Sequence, residues 1–152
     1  MTQDSEHIDE YGAEMVAFLE QIWGRGFLAP GGKQNIRRMT EGIATQDRYL
    51  VDIGSGIGGG VIVLAQNFGA KVLGIDIEAP LVRTAKAYVE EAGLTEQVTF
   101  RYVRAGKLDF PDGIFDIVYS SGAFTQISDK SAMFAECVLA AIRRLRAPLS
   151  CA

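Results

Sequence analysis

The sequence is poor in the residues on which several common chemistries depend. It holds one histidine, His7, among 152 residues. That leaves no material for a multi-histidine metal site or a serine–histidine–aspartate triad, and no metal is expected. The two cysteines, Cys137 and Cys151, are too few for a disulfide framework, so a reducing cytoplasm is the expected setting. No apolar run approaches the ~20 residues that a membrane span needs. The polar, acidic start (MTQDSE) lacks an apolar signal core, so no membrane attachment is expected. Positive charge is also short. Fifteen Lys and Arg face nineteen Asp and Glu, a net charge of −4, which disfavours nucleic acid as a bulk electrostatic partner.

What remains is an ordinary globular balance. Apolar residues make up 48% and charged residues 22%, enough for a core and of a length natural for one domain. Residues 8–23 place Ile8, Tyr11, Met15, Phe18, Leu19, Ile22 and Trp23 at three- and four-residue spacings, the mark of a helix with one apolar face. Gly24 and Gly26 stop it, residues 27–32 form a loop, and residues 33–44 read as a shorter helix. The period then changes. Residues 49–53, 71–76, 98–103 and 115–120 read as strands. Helices are expected over 61–68, from Pro80 to about Glu91, and from a cap at Asp129 to about Arg146. Gly93 suits a helix C-terminus, and residues 111–113 suit a turn. The run around Arg143 and Arg146 reads as a solvated helix end. Strands alternating with helices imply an α/β fold: a parallel Rossmann-like sheet of about four strands with flanking helices. Residues 1–46 form an N-terminal helical lid segment, and residues 47–152 form the core.

The first strand runs into Gly54, Gly56, Gly58, Gly59 and Gly60, five glycines in seven residues. Such a loop turns sharply and lets a ligand approach bare backbone, and the helix that follows presents unpaired N–H groups. The loop alone leaves the cofactor open, since it fits both the dinucleotide pattern G-x-G-x-x-G and the G-x-G-x-G of S-adenosylmethionine (SAM) enzymes. Two acids favour SAM. Asp52, two positions before Gly54, can face the ammonium of a methionine moiety, whereas it would repel a pyrophosphate. Asp76 ends the second strand, 22 residues after Gly54, where an acid accepts hydrogen bonds from ribose. Ile77 offers an apolar wall to adenine. No tyrosine is followed four residues later by lysine, the pair that short-chain reductases use. An NAD-dependent reductase is therefore the lesser reading.

With these residues and residues 110–120 (FPDGIFDIVYS) in view, the chain resembles class I SAM-dependent methyltransferases, and most of all phosphoethanolamine N-methyltransferases. The likeness covers about residues 8–138. It rests on a lid similar to residues 23–32 (WGRGFLAPGG) and on the glycine loop of residues 52–60. The resemblance implies that Tyr11 belongs to a catalytic dyad ordering the lid. It implies that Leu28 and Ala29 touch the cofactor, and that Gly54, Asp76 and Ile77 meet its methionine and ribose parts. Ser55, Gly56 and Ser121 are placed with the same contacts.

Three departures stand out. Where the family has an aspartate for the adenine amino group, this chain has Arg104, whose guanidinium only donates, followed by Ala105, whose backbone N–H can serve adenine. Where the dyad has histidine, this chain has Gln126, which cannot act as a general base. The family continues with a Lys-Pro-Gly-Gly turn and three further strands that this sequence does not show. The C-terminal strands of the full fold are therefore expected to be missing, and the fourth strand to be an exposed edge prone to self-association. The expected function is methyl transfer from SAM to a small molecule, an amine such as a phosphobase. The alternative is a SAM-binding chain without turnover.

Overall fold

The computed structural model describes residues 11–141. His7, Ile8, Cys151 and the basic run around Arg143 and Arg146 lie outside them. In chain order the elements are α1 (Ala13–Trp23), α2 (Gly32–Thr40), β1 (Tyr49–Ile53), α3 (Gly59–Phe68), β2 (Lys71–Asp76), α4 (Ala79–Glu91), β3 (Val98–Tyr102), β4 (Ile117–Tyr119) and α5 (Lys130–Ala141), with a single 3-10 turn at Ala123–Thr125 before α5. The four strands are parallel in the order β3-β2-β1-β4. The order reverses between β1 and β4. In open parallel sheets the crevice outside the carboxyl ends at such a reversal is where ligands bind.

The pleat sorts side chains by parity. Leu50, Val72, Val98 and Phe100 pack with Val61, Leu64, Val82, Ala85 and Val89 of α3 and α4. Val51, Ile53, Leu73 and Ile75 face the other way, toward Phe115 and toward Cys137 and Ala140 of α5. Asp52 and Asp76 share the parity of Leu50 and Val72. Both carboxylates therefore end on the α3 side of the sheet, at the carboxyl edge.

Local signals account for most element ends. Pro80 occupies the first turn of α4. Asp129 Oδ1 accepts the Ala132 N–H at 2.9 Å at the start of α5. Gly58, at φ +89°, is the cap of α3. This helix starts at Gly59, two residues before the expected start, and α2 stops at Thr40, not at residue 44. The Thr40 hydroxyl bonds back to the Ile36 carbonyl at 2.8 Å.

Two expectations need correction. The helix expected over residues 8–23 begins at Ala13 within the described range and buries none of its residues. Met15, Phe18 and Ile22 are exposed, so its periodicity marks an apolar face that no described element covers. The fourth strand is three residues long, not six. Phe115 leaves the ladder and is fully buried, 4.9 Å from the Phe110 ring and 5.0 Å from the Tyr49 ring. Asp116 Oδ2 then accepts the Tyr49 N–H at 2.9 Å and ties the strand entrance to β1.

Candidate functional site

The carboxyl ends of β1 and β4, the glycine loop and the α1–α2 connection enclose a cavity of about 70 Å³. Leu28, Ala29, Gly54, Ser55, Gly56 and Ser121 line it together with Phe27, Asn35 and Ile36. Six of the residues singled out from sequence therefore come together there. Pockets for drug-sized ligands run from about 300 Å³ upward. The space between the connection over residues 26–32 and the glycine loop is smaller than that and opens to solvent on one side.

That connection lies directly on the glycine loop. The Gly59 N–H donates to the Gly26 carbonyl at 2.9 Å. A Cβ on Gly26 would stand 2.8 Å from Gly59 Cα, closer than real Cβ atoms come, so glycine is needed for the contact itself. Gly54, at φ +73°, faces Ala123 so closely that a side chain would collide with it.

Five amides of the loop and helix start are taken up internally, whereas those of Ile57, Gly60 and Val61 have no acceptor among the described residues, in line with the expected unpaired N–H groups at the helix start. Gly54 and Ser55 donate to the Ile75 carbonyl at 2.9 and 3.0 Å, and Gly58 donates to Ser55 at 3.0 Å. Gly56 donates to Asp76 Oδ2 at 2.8 Å, and Gly59 is taken by Gly26. The physical reason is the tight turn, which folds the loop back on β2 and against the α1–α2 connection. Asp76 is buried, and its Oδ1 accepts the Glu78 N–H at 2.9 Å. Each carboxylate oxygen keeps a second lone pair for a further donor.

Asp52 is only 4% exposed, and its Oδ1 has no hydrogen-bond partner among the described residues. A Cβ on Gly60 would stand 3.7 Å from its Oδ2, an ordinary contact, which places the carboxylate directly against the start of α3. Burial, and then the charge of Asp76, push its carboxyl up to about 8. An isolated buried carboxylate is costly and calls for a cationic or hydrogen-bonding partner. Ser55 Oγ is likewise buried and unpartnered.

Tyr119 stands in register with Asp52 across β1 and β4. Burial, and then the Asp52 charge, push its phenol up to about 12, while a bond with Ser121 works against both. Its hydroxyl donates to Met39 Sδ at 3.3 Å. Asn35 Nδ2 donates to Ser121 Oγ at 3.2 Å. Asn35 and Tyr119 were not singled out from sequence. Nothing local marks them, since their partners lie 86 and 80 residues away.

The remaining candidates sit around the rim. Tyr11 meets the segment after β4, where Gln126 Nε2 donates to its hydroxyl at 3.1 Å. Ile77 is exposed at the end of β2, and Arg104 and Ala105 are exposed just beyond β3. These three do not line the cavity; they follow the carboxyl ends of β2 and β3. Among the described residues no group of three His, Cys, Asp or Glu could hold a metal, and no helix is long and apolar enough to cross a membrane.

Comparison with known proteins agrees with this architecture. Phosphoethanolamine N-methyltransferase 3 of Arabidopsis thaliana is 30% identical over 126 residues, 82% of this chain and 25% of the plant protein. Phosphoethanolamine N-methyltransferase of Plasmodium falciparum is 29% identical over 132 residues, 85% of this chain and 48% of that protein. Among solved structures, Haemonchus contortus phosphoethanolamine N-methyltransferase 2 in complex with S-adenosyl-L-methionine superposes with a TM-score of 0.81 at 29% identity. The match covers 88% of this chain and 31% of that one. The chain thus spans between a quarter and a half of the length of these relatives. The family profile described as "Methyltransferase domain" matches residues 50–144. The chain belongs to the methyltransferase domain family.

Proposed function

We propose that this chain binds SAM in the cavity between the glycine loop and the lid, and carries the cofactor half of a methyl transfer to a small amine such as a phosphobase. One observation supports this most: the buried Asp52 carboxylate, whose Oδ1 has no partner among the described residues, beside a glycine loop that offers bare backbone. A pyrophosphate is repelled by a nearby carboxylate. A methionine ammonium needs the carboxylate. The same observation weighs against the NAD-dependent reductase.

In this reading Asp52 holds the ammonium, Asp76 accepts from the ribose hydroxyls, and Ile77 and the Ala105 N–H meet the adenine. Leu28 and Ala29 exclude water from above. When bound, SAM supplies an electrophilic methyl on a sulfonium, and the protein's part is position. Tyr11 and Gln126 close the acceptor side of the lid. Gln126 donates to the Tyr11 hydroxyl and holds no exchangeable charge near neutral pH. That pair supports a latch more than a base, and it keeps open the second reading of a SAM-binding chain with little turnover. A cytoplasmic setting belongs to the same proposal.

Calorimetric titration with SAM, repeated on Asp76→Ala and Asp52→Asn, tests the site. Saturable binding lost in the first variant and weakened in the second is expected. Binding that is indifferent to both substitutions would remove the site from this cavity.

A further inference from the structure

Glu20 lies on α1, outside the cavity lining, yet its carboxylate is fully engaged. Oε1 accepts the Gly26 N–H at 2.7 Å and the Tyr88 hydroxyl of α4 at 3.0 Å, and Oε2 lies 3.1 Å from the same hydroxyl. Gly26 in turn gives its carbonyl to the Gly59 N–H at 2.9 Å. A single carboxylate thus links α1, the lid turn and α4, and through one residue it reaches the start of α3 and the glycine loop. Arg25 reinforces the junction. Its guanidinium stands 4.4 Å from the Tyr88 ring centroid and pairs with Glu91.

The parts differ in weight. The Arg25–Glu91 pair is 61% exposed on both sides, and ion pairs that open to water contribute little. The Glu20 bond to Gly26 is charge-assisted, partly buried, and made to the backbone of the lid itself. Phe27 adds packing against the core beside it. A carboxylate on a helix that buries none of its residues would ordinarily be left to solvent. Here both oxygens are spent on the lid and on α4.

We propose that Glu20 is a positioning residue that clamps the Gly26 peptide onto the start of α3 and so holds residues 26–32 closed over the glycine loop. It touches neither cofactor nor acceptor and acts through Gly26. The consequence for cofactor residence rests on the SAM reading of the cavity, whereas the clamp itself does not. Opening of such a segment governs release, so loss of the clamp acts on the dissociation rate before anything else.

The test pairs amide hydrogen exchange with release of labelled SAM, in the full chain and in Glu20→Ala, Glu20→Gln and Tyr88→Phe. In Glu20→Ala, exchange at Gly26 and Gly59 and dissociation of SAM are each expected to accelerate about tenfold or more, the scale of one lost charge-assisted bond. Glu20→Gln keeps a carbonyl acceptor and recovers much of the difference. Tyr88→Phe, which leaves the Gly26 bond in place, falls between wild type and alanine. The melting temperature stays close to wild type because α1 buries nothing. Unchanged exchange at Gly59 in Glu20→Ala overturns the clamp, as does Glu20→Gln behaving like alanine. If wild type binds no SAM while exchange still accelerates in Glu20→Ala, the clamp stands and the cofactor reading falls.

Discussion

Gln126 Nε2 donates to the Tyr11 hydroxyl at 3.1 Å across a separation of 115 residues. The bond joins Tyr11, just before α1, to the segment that follows β4. The Gln126 amide has no basic nitrogen, so it can hold the Tyr11 hydroxyl but cannot take a proton from an ammonium acceptor.

Gln126→His therefore changes chemistry and not only packing. It places a group of pKa about 6.5 beside the Tyr11 hydroxyl. General bases contribute roughly 10²- to 10⁴-fold. Methyl transfer to phosphoethanolamine is expected to rise at pH 7.5 toward that range in Gln126→His, and to gain an acid limb below about pH 6.5. A labelled-methyl assay across pH reads both. An unchanged rate and a flat profile would show that position 126 faces no reacting proton.

Asp52 makes the site pH-dependent in two opposite ways. Its carboxyl titrates near 8 when folded, raised by burial and then by Asp76. A cationic ligand group selects the ionised form. SAM affinity should therefore climb by up to about tenfold per pH unit below that value, with proton release on binding. Stability without ligand runs the other way. The folded carboxyl holds its proton up to about 8, whereas the unfolded one loses it near ~3.9. The contribution is thus fully present below the unfolded value and is lost as pH rises through the folded one. Thermal melts from pH 5 to pH 8.5 should fall more steeply for wild type than for Asp52→Asn, and the variant's SAM affinity should lose its pH slope. Parallel melting curves would mean that Asp52 ionises normally.

Gly26→Ala tests the seat of the lid. At φ +89°, with Gly59 Cα 2.8 Å from any Cβ, the substitution meets both backbone strain and a clash. Left-handed non-glycine residues cost on the order of 1–3 kcal/mol. The strain sits in the lid, so SAM affinity is expected to drop about tenfold or more while the core melt shifts by only a few degrees. Wild-type affinity in the variant would show that the lid does not rest on α3 in solution.

β4 pairs with β1 on one side only, and it is the edge of the sheet among the described residues. Beside it, α5 exposes Phe134, Val138 and Leu139. Open edges and apolar faces promote association. The 152-residue chain is expected to shift from monomer toward dimer with concentration in sedimentation velocity. Phe134→Glu with Val138→Lys should hold it monomeric. A wild-type chain that stays monomeric at high concentration contradicts the expectation.

Much of this architecture was legible residue by residue. The runs at 49–53 and 71–76 are apolar because both sheet faces are covered, whereas the shared face of Asp52 and Asp76 follows from the register of β1 with β2. Asp129 and Pro80 act locally and were readable for that reason. Long-range arrangement was not. α1 has correct helical periodicity, but whether its apolar face is covered depends on tertiary partners. Phe115 reads as a strand residue, yet its ring fills the core beside Tyr49 and Phe110 and shortens β4. The glycines announced a bare loop without revealing that Ile75, Asp76 and Gly26 take four of its amides. Glu20 and Asn35 matter only through partners far away in sequence.

The most direct measurement of the central claim is competition at equilibrium. Labelled SAM is dialysed against the full chain and challenged in parallel with excess S-adenosylhomocysteine and excess NAD. Retention of label that S-adenosylhomocysteine displaces and NAD leaves in place is the predicted result. Displacement by NAD, or no retained label at all, would contradict a cavity built for a nucleoside sulfonium.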